Sequence, residues 1–136
     1  MEEVSDLLHR VGRQLRNRAH AELGPMGLTP AQARALRTLG RSDRPLRMSE
    51  LAQRLRIARR SATSVVDELV DRGVVRRVDD PTDRRATAVE VIGPGRDVLA
   101  RLLEVRHRAL AELAADLPPE RLLAFRDTLA ALDRRG

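Results

Sequence analysis

The sequence predicts a mostly α-helical domain that carries one small β wing, and three observations lead there. Apolar residues recur at helical spacing along most of the chain. Ala62, Val65, Val66, Leu69 and Val70 are an example, at positions i, i+3, i+4, i+7 and i+8. Only Val74-Val75-Arg76-Arg77-Val78 and Ala86-Thr87-Ala88-Val89-Glu90-Val91 read as β-branched runs, and the turn-forming Asp79-Asp80-Pro81-Thr82-Asp83 separates them. Phe125 is the single aromatic residue among 136, so the core is expected to be Leu, Val and Ala, which suits packed helices. A chain of this length forms one domain and buries roughly two thirds of its unfolded surface.

In chain order, residues from about 3 to 23 carry Val4, Leu7, Leu8, Val11, Leu15, Ala19 and Leu23 at helical spacing. Gly24-Pro25-Met26-Gly27 breaks this first helix. Thr29-Pro30 opens a second, with a hydroxyl at the cap and proline in the first turn, running through Ala33, Leu36 and Leu39 to Gly40. After a polar loop, Leu46-Arg47-Met48 offers a short third strand to the wing. Ser49 is the expected N-cap of a short helix bearing Leu51, Ala52 and Leu55. Arg56 to Ala58 form a tight turn into the helix of Ala62 to Val70, and Gly73 ends that helix in a left-handed C-cap. Two short helices joined by a turn and followed by an Arg-bearing hairpin make a winged helix-turn-helix. Gly93-Pro94 then starts a long helix with Val98, Leu99, Leu102, Leu103, Leu110, Leu113 and Leu117. Leu117-Pro118-Pro119 stops it, and Leu122, Leu123, Phe125, Leu129 and Leu132 mark a last helix.

Charge is distributed unevenly. The net charge is +6 and every basic side chain is arginine, which favours an anionic partner. Between Leu51 and Val66 lie Arg54, Arg56, Arg59 and Arg60 and no acid, whereas Asp67, Glu68 and Asp71 sit in the later turns. If Ala62, Val65, Val66 and Leu69 face the core, Arg60, Ser64 and Asp67 point away from it, flanked by Arg59, Ser61 and Thr63. A helix that reads the DNA major groove enters by its N-terminal residues, so this polarity has the orientation such a helix needs. The competing reading of these arginines is a solvated face.

The ordered set of motifs is more specific than any piece of it. Leu28-Thr29-x-x-Gln32, Ser49-Glu50-Leu51-Ala52, Asp67-Glu68-Leu69-Val70-Asp71-Arg72-Gly73-Val74-Val75 and Asp80-Pro81-Thr82-Asp83-Arg84-Arg85-Ala86 together resemble the MarR family of bacterial transcription regulators. The resemblance runs from about residue 28 to 100. It implies a winged helix-turn-helix over about 28–93, flanked by dimerisation helices over about 3–24 and 94–134. It also implies that Asp83 pairs with Arg85 and holds it, beside Arg84, at the wing tip for insertion into a minor groove. A narrow minor groove concentrates negative potential and attracts an inserted arginine. The candidate DNA-binding residues are therefore Arg54, Arg59, Arg60, Ser61, Thr63, Ser64, Asp83, Arg84 and Arg85. The chain departs from the family pattern in three ways: Arg56 stands where a turn glycine is common, Ala58 where a capping side chain is usual, and Ile92-Gly93 in place of Leu-Thr.

The expected partners are double-stranded DNA and a second copy of the chain. The resemblance adds a small, anionic aromatic effector held between the dimer helices and the reading head, in a pocket lined by Leu, Val, Ala and Arg from the first, second and long helices. No cofactor or metal is expected. Cysteine is absent, which excludes disulfides and thiol-based sensing, and His9, His20 and His107 lack metal-ligand spacing. No serine sits in a nucleophile-elbow context and no Gly-rich phosphate loop occurs, so an enzyme has no residue to rest on. No leader or membrane segment is read, and the expected location is cytoplasmic. RNA recognition leans on exposed aromatics, which this chain lacks. The alternative that remains is a winged-helix protein-interaction module without specific DNA binding.

Overall fold

The structure, a computed structural model, describes residues 1–136. In order the chain forms α1 (Glu2–Ala21), α2 (Pro30–Gly40), β1 (Leu46–Arg47), α3 (Met48–Leu55), α4 (Arg59–Asp71), β2 (Val75–Asp79), β3 (Thr87–Val91), α5 (Gly93–Leu113) and α6 (Pro119–Asp133). The fold is the predicted one, mostly helical with a small antiparallel sheet. Strand order is β1-β3-β2, with Leu46 opposite Val89 and Val75 opposite Val91. The third strand expected at Leu46-Arg47 is present, and Met48 already belongs to α3.

Leu36, Leu46, Leu51, Val66, Leu69, Val75 and Val89 are fully buried, so α2, α3, α4 and all three strands converge on one core. Each such side chain contributes about 1.5–3 kcal/mol relative to leaving it exposed. This core fixes α4 and the wing as one body. Thr29 caps α2 as the sequence predicts: its hydroxyl accepts the Gln32 N–H at 3.1 Å, and the Gln32 side chain accepts the Thr29 N–H at 3.1 Å.

Two boundaries differ from expectation. Ser49 is not the N-cap of α3; Arg47 is, and Ser49 lies inside the first turn. Pairing with β3 holds Leu46 and Arg47 extended, and the helix begins where that pairing ends. The long helix stops at Leu113, short of Leu117, whose N–H closes a turn on the Ala114 carbonyl at 3.0 Å. Pro118 disfavours a helical conformation at the residue before it.

Helices α3 and α4 both end in the same backbone closure with different residues at its left-handed position. At Gly73 (φ 72°) the Gly73 N–H reaches Val70 at 2.9 Å and the Val74 N–H reaches Leu69 at 3.2 Å. At Arg56 (φ 54°) the Arg56 N–H reaches Gln53 at 3.1 Å and the Ile57 N–H reaches Ala52 at 3.1 Å. A Cβ in this region costs on the order of 1 kcal/mol. Arg56→Gly is therefore expected to stabilise the fold by about 0.5–1 kcal/mol, net of the looser unfolded chain. That corresponds to a melting temperature higher by roughly 2–5 °C. An unchanged or lowered melting temperature in a thermal scan would show that Arg56 is unstrained.

The terminal helices are packed differently from the reading head. Helix α1 lies along α5, with Arg18 Nη1 2.8 Å from a Glu112 oxygen. No residue of α1 or α6 is buried. Val4, Leu7, Leu8 and Val11 of α1 and Leu122, Leu123, Phe125, Leu129 and Leu132 of α6 are left exposed. No helix is long and apolar enough to cross a membrane.

Candidate nucleic-acid interface

The first turns of α4 and the wing tip carry arginines with no carboxylate partner. Arg54, Arg59 and Arg60, together with Arg56 in the turn, are exposed and form no ion pair, and the same holds for Arg84 and Arg85. Four neighbouring arginines of the same body are tied down, whereas Arg72 at the end of α4, Arg34 and Arg37 on α2 and Arg41 at its C-cap form no ion pair. Arg44 pairs with Glu50 at 2.6 Å, Arg76 with Glu90 at 2.6 Å, Arg47 with Asp80 and Arg77 with Asp67. These four scaffold arginines are thus neutralised locally. Those facing outward at the two projecting ends keep their full charge for a ligand.

Helix α4 starts without a side-chain cap, since Ala58 occupies the N-cap. Its first N–H groups are therefore free to face an anion, where the helix dipole favours negative charge. Ser61 and Ser64 are exposed and Thr63 is half-buried. The Ser64 hydroxyl donates to the Arg60 carbonyl at 3.2 Å and the Thr63 hydroxyl to the Arg59 carbonyl at 3.0 Å, which leaves both oxygens able to accept. Two of the three acids of the later turns are absorbed by the scaffold: Asp67 binds Arg77 on β2, and Glu68 accepts from the Gln32 side chain on α2 at 2.7 Å, while Asp71 stays exposed at the far end of the helix.

The wing corrects one expectation. Asp83 and Arg85 do not form a side-chain ion pair; the Asp83 carboxylate accepts the Arg85 backbone N–H at 3.0 Å. An Asp two residues ahead of an N–H in a tight turn meets that N–H first, which leaves the guanidinium free. The carboxylate that organises the wing is Asp80, which sequence reasoning missed. It accepts the Thr82 N–H at 2.8 Å and hydroxyl at 2.9 Å, and it pairs with Arg47. Asp-Pro-Thr signals such a turn locally, but nothing in the sequence points to Arg47, 33 residues away.

Two of the paired carboxylates, Asp80 and Glu50, are held strongly acidic. The Thr82 N–H first, then Arg47, holds Asp80 far below the usual carboxylate range. The Arg44 guanidinium lowers Glu50 from 4.5 to about 2. Folding lowers both values, so on acidification the unfolded chain takes up protons before the folded one does. Thermal stability is expected to be level above about pH 5 and to fall as pH drops through roughly 4.5 towards 2. Melting temperatures across that window check this, and Glu50→Gln should flatten part of the fall. Stability that rises on acidification would contradict it.

A cavity of about 470 Å³ lies between α1, α2 and α5, lined by Leu15, Ala19, Leu23, Leu102 and Val105, with Arg16, Arg37 and Arg106. His20 and His107 border it as well, and no cluster of His, Asp and Glu suited to a metal occurs in the chain. Arg37 is half-buried, and its pKa is lowered by that burial and then by Arg106, Arg41 and Arg34. No carboxylate forms an ion pair with Arg37.

The same arrangement recurs in known proteins. The family model described as the MarR family matches residues 26–86. An HTH-type transcriptional repressor from Mycobacterium tuberculosis is 31% identical over 126 residues, covering 93% of this chain and 90% of its own length. A MarR family protein from Bacillus stearothermophilus superimposes with a TM-score of 0.88 at 25% identity, covering 98% of this chain and 93% of that one. The transcriptional regulator Tm0710 from Thermotoga maritima gives 0.80 at 26% identity, with 98% and 93% covered. With its winged helix-turn-helix head, its arginine-bearing wing and these relatives across nearly its whole length, the chain belongs to the MarR family of transcription regulators.

Proposed function

We propose that the protein is a cytoplasmic homodimeric repressor that reads a pseudo-palindromic site in double-stranded DNA. The observation that carries this is the set of unpaired arginines at the start of α4 and at the wing tip. The start of α4 would enter the major groove with Arg59, Arg60, Ser61, Thr63 and Ser64, Arg54 would meet the backbone beside it, and Arg84 and Arg85 would reach an adjacent minor groove. Asp83 contributes by holding the wing-tip backbone. The exposed apolar residues of α1 and α6 support a dimer, because the apolar stripe of α1 and the apolar residues spread round α6 both need to be covered. A two-fold dimer sets its recognition helices about one DNA turn apart, roughly 34–36 Å.

Selection from a random-duplex library, followed by a salt titration on the enriched sequence, tests this reading. The expected result is an inverted repeat with half-sites about a turn apart, and a log K that falls by about 0.9 per neutralised phosphate per log unit of salt. An unenriched library with weak binding would leave a protein-docking winged helix.

The cavity between α1, α2 and α5 supports regulation by a small anion. A half-buried guanidinium with other arginines around it and no carboxylate partner is relieved by an anionic ligand. Its apolar lining would hold the rest of such a molecule. Benzoate is a suitable probe: it is expected to raise the melting temperature by mass action and to weaken operator binding. Arg37→Ala should abolish both effects. A variant that responds like wild type would remove the cavity from the account.

A further inference from the structure

We infer that Arg47 and Asp80 act as positioning residues, a clasp that sets the angle of the wing against the helix-turn-helix so that Arg84 and Arg85 meet the minor groove. This rests on the DNA-binding reading above.

Asp80 is the only buried carboxylate of the chain, yet it stands at the root of a loop whose residues from Pro81 to Arg85 are all exposed. A buried carboxylate is retained only where it is paired and fully hydrogen-bonded. Its N–H donates to the Ala86 carbonyl at 2.9 Å and closes the loop neck. Its carboxylate gathers the Thr82 N–H and hydroxyl, and Arg47 binds both Asp80 and, at 3.3 Å, the Thr82 hydroxyl.

The clasp spans the sheet. Strand β3 lies between β1 and β2, and Arg47, Ala88 and Val78 form one row across it. Side chains of one row share a face, and Asp80, two residues beyond Val78, returns to that face. Arg47 thus reaches from one edge strand, over the small Ala88, to the loop that leaves the other edge. Only two residues of β1 pair with β3, so backbone pairing alone gives a short grip between the wing and α3.

The residue type at 47 suits this role better than helix capping. Arg47 is the N-cap of α3, where Ser, Thr or Asp would accept a first-turn N–H. A guanidinium has donors alone, so it cannot cap. The helix receives only the return bond from the Arg47 N–H to Glu50 at 3.3 Å. The side chain serves the wing instead of the helix.

Two variants in the full-length protein separate positioning from folding. Arg47→Thr breaks the clasp while supplying a capping hydroxyl. Asp80→Asn breaks the charge pair while keeping an acceptor for Thr82. On the selected operator, hydroxyl-radical cleavage reports the minor groove and methylation of guanine N7 the major groove. Both variants are expected to lose minor-groove protection flanking each half-site while N7 protection persists at saturation. Affinity should fall roughly tenfold, the scale of one charged contact. A wild-type minor-groove footprint in either variant overturns the inference. So does affinity that holds or rises in Asp80→Asn, because that would make Arg47 a direct phosphate contact freed by the change. An Arg84→Ala/Arg85→Ala protein is the reference. If it too keeps the flanking protection, the wing does not enter the groove and the clasp falls with that reading. If it loses protection while the clasp variants keep it, the clasp alone fails.

Discussion

A protein carrying Leu122→Asp and Leu129→Asp is expected to run as a monomer of 15.2 kDa while keeping its reading head folded. No residue of α6 is buried by the rest of its own chain, so charges there disturb nothing within one copy. In a dimer the same side chains would be enclosed, and an unpaired buried carboxylate is strongly disfavoured. The consequence for DNA is large. A dimer binds its second half-site intramolecularly, which raises overall affinity by about 10²–10⁴ over one half-site. The variant should therefore lose that factor on a two-half-site operator and bind a single half-site as wild type does. Sedimentation equilibrium and gel-shift titrations report the two quantities separately. A variant that stays dimeric would move the interface away from α6.

Gly95→Ala should produce the largest loss of stability of any glycine-to-alanine change in the chain. An added Cβ would lie 2.0 Å from the Val74 carbonyl oxygen and 2.8 Å from Cγ1 of Val91. The first neighbour is backbone and cannot rotate away. Val74 directly follows the Gly73 turn that ends α4, and its carbonyl also accepts the Ile92 N–H at 3.1 Å. To relieve the clash, α5 would have to lift off the reading head. The expected cost is about 3 kcal/mol or more, at the upper end for overpacked sites. The melting temperature would fall by on the order of 10 °C. Gly93→Ala is the control, because nothing lies within 4 Å of a Cβ there. Equal stability of the two variants would mean that α5 does not dock as closely as its packing implies. The position matters for function because α5 joins the terminal helices to the body that holds α4.

The order of elements and the reading head were legible in the sequence because local chemistry decides them. The i, i+3, i+4 stripe of α4 can only be buried as a helix, and Thr29-Pro30 and Gly73 mark ends through hydrogen bonds that span a few residues. Part of the interface was legible for the same reason: Arg60 on the face away from Ala62 and Val66 follows from helical periodicity, and Arg59 flanks it in the exposed first turn. Where the tertiary structure intervened, a distant partner changed the local answer. Ser49 lost the N-cap because β3 holds Arg47 extended. Asp83 turned to a backbone N–H, while Asp80 found an arginine from β1. Which arginines stay free for DNA and which are consumed by the scaffold depends on pairs such as Arg77 with Asp67 and Arg47 with Asp80. A sequence can place a charge on a face. Only the packing of strands and helices brings a counter-charge within reach, since electrostatic pairing acts through space over a few ångströms rather than along the chain.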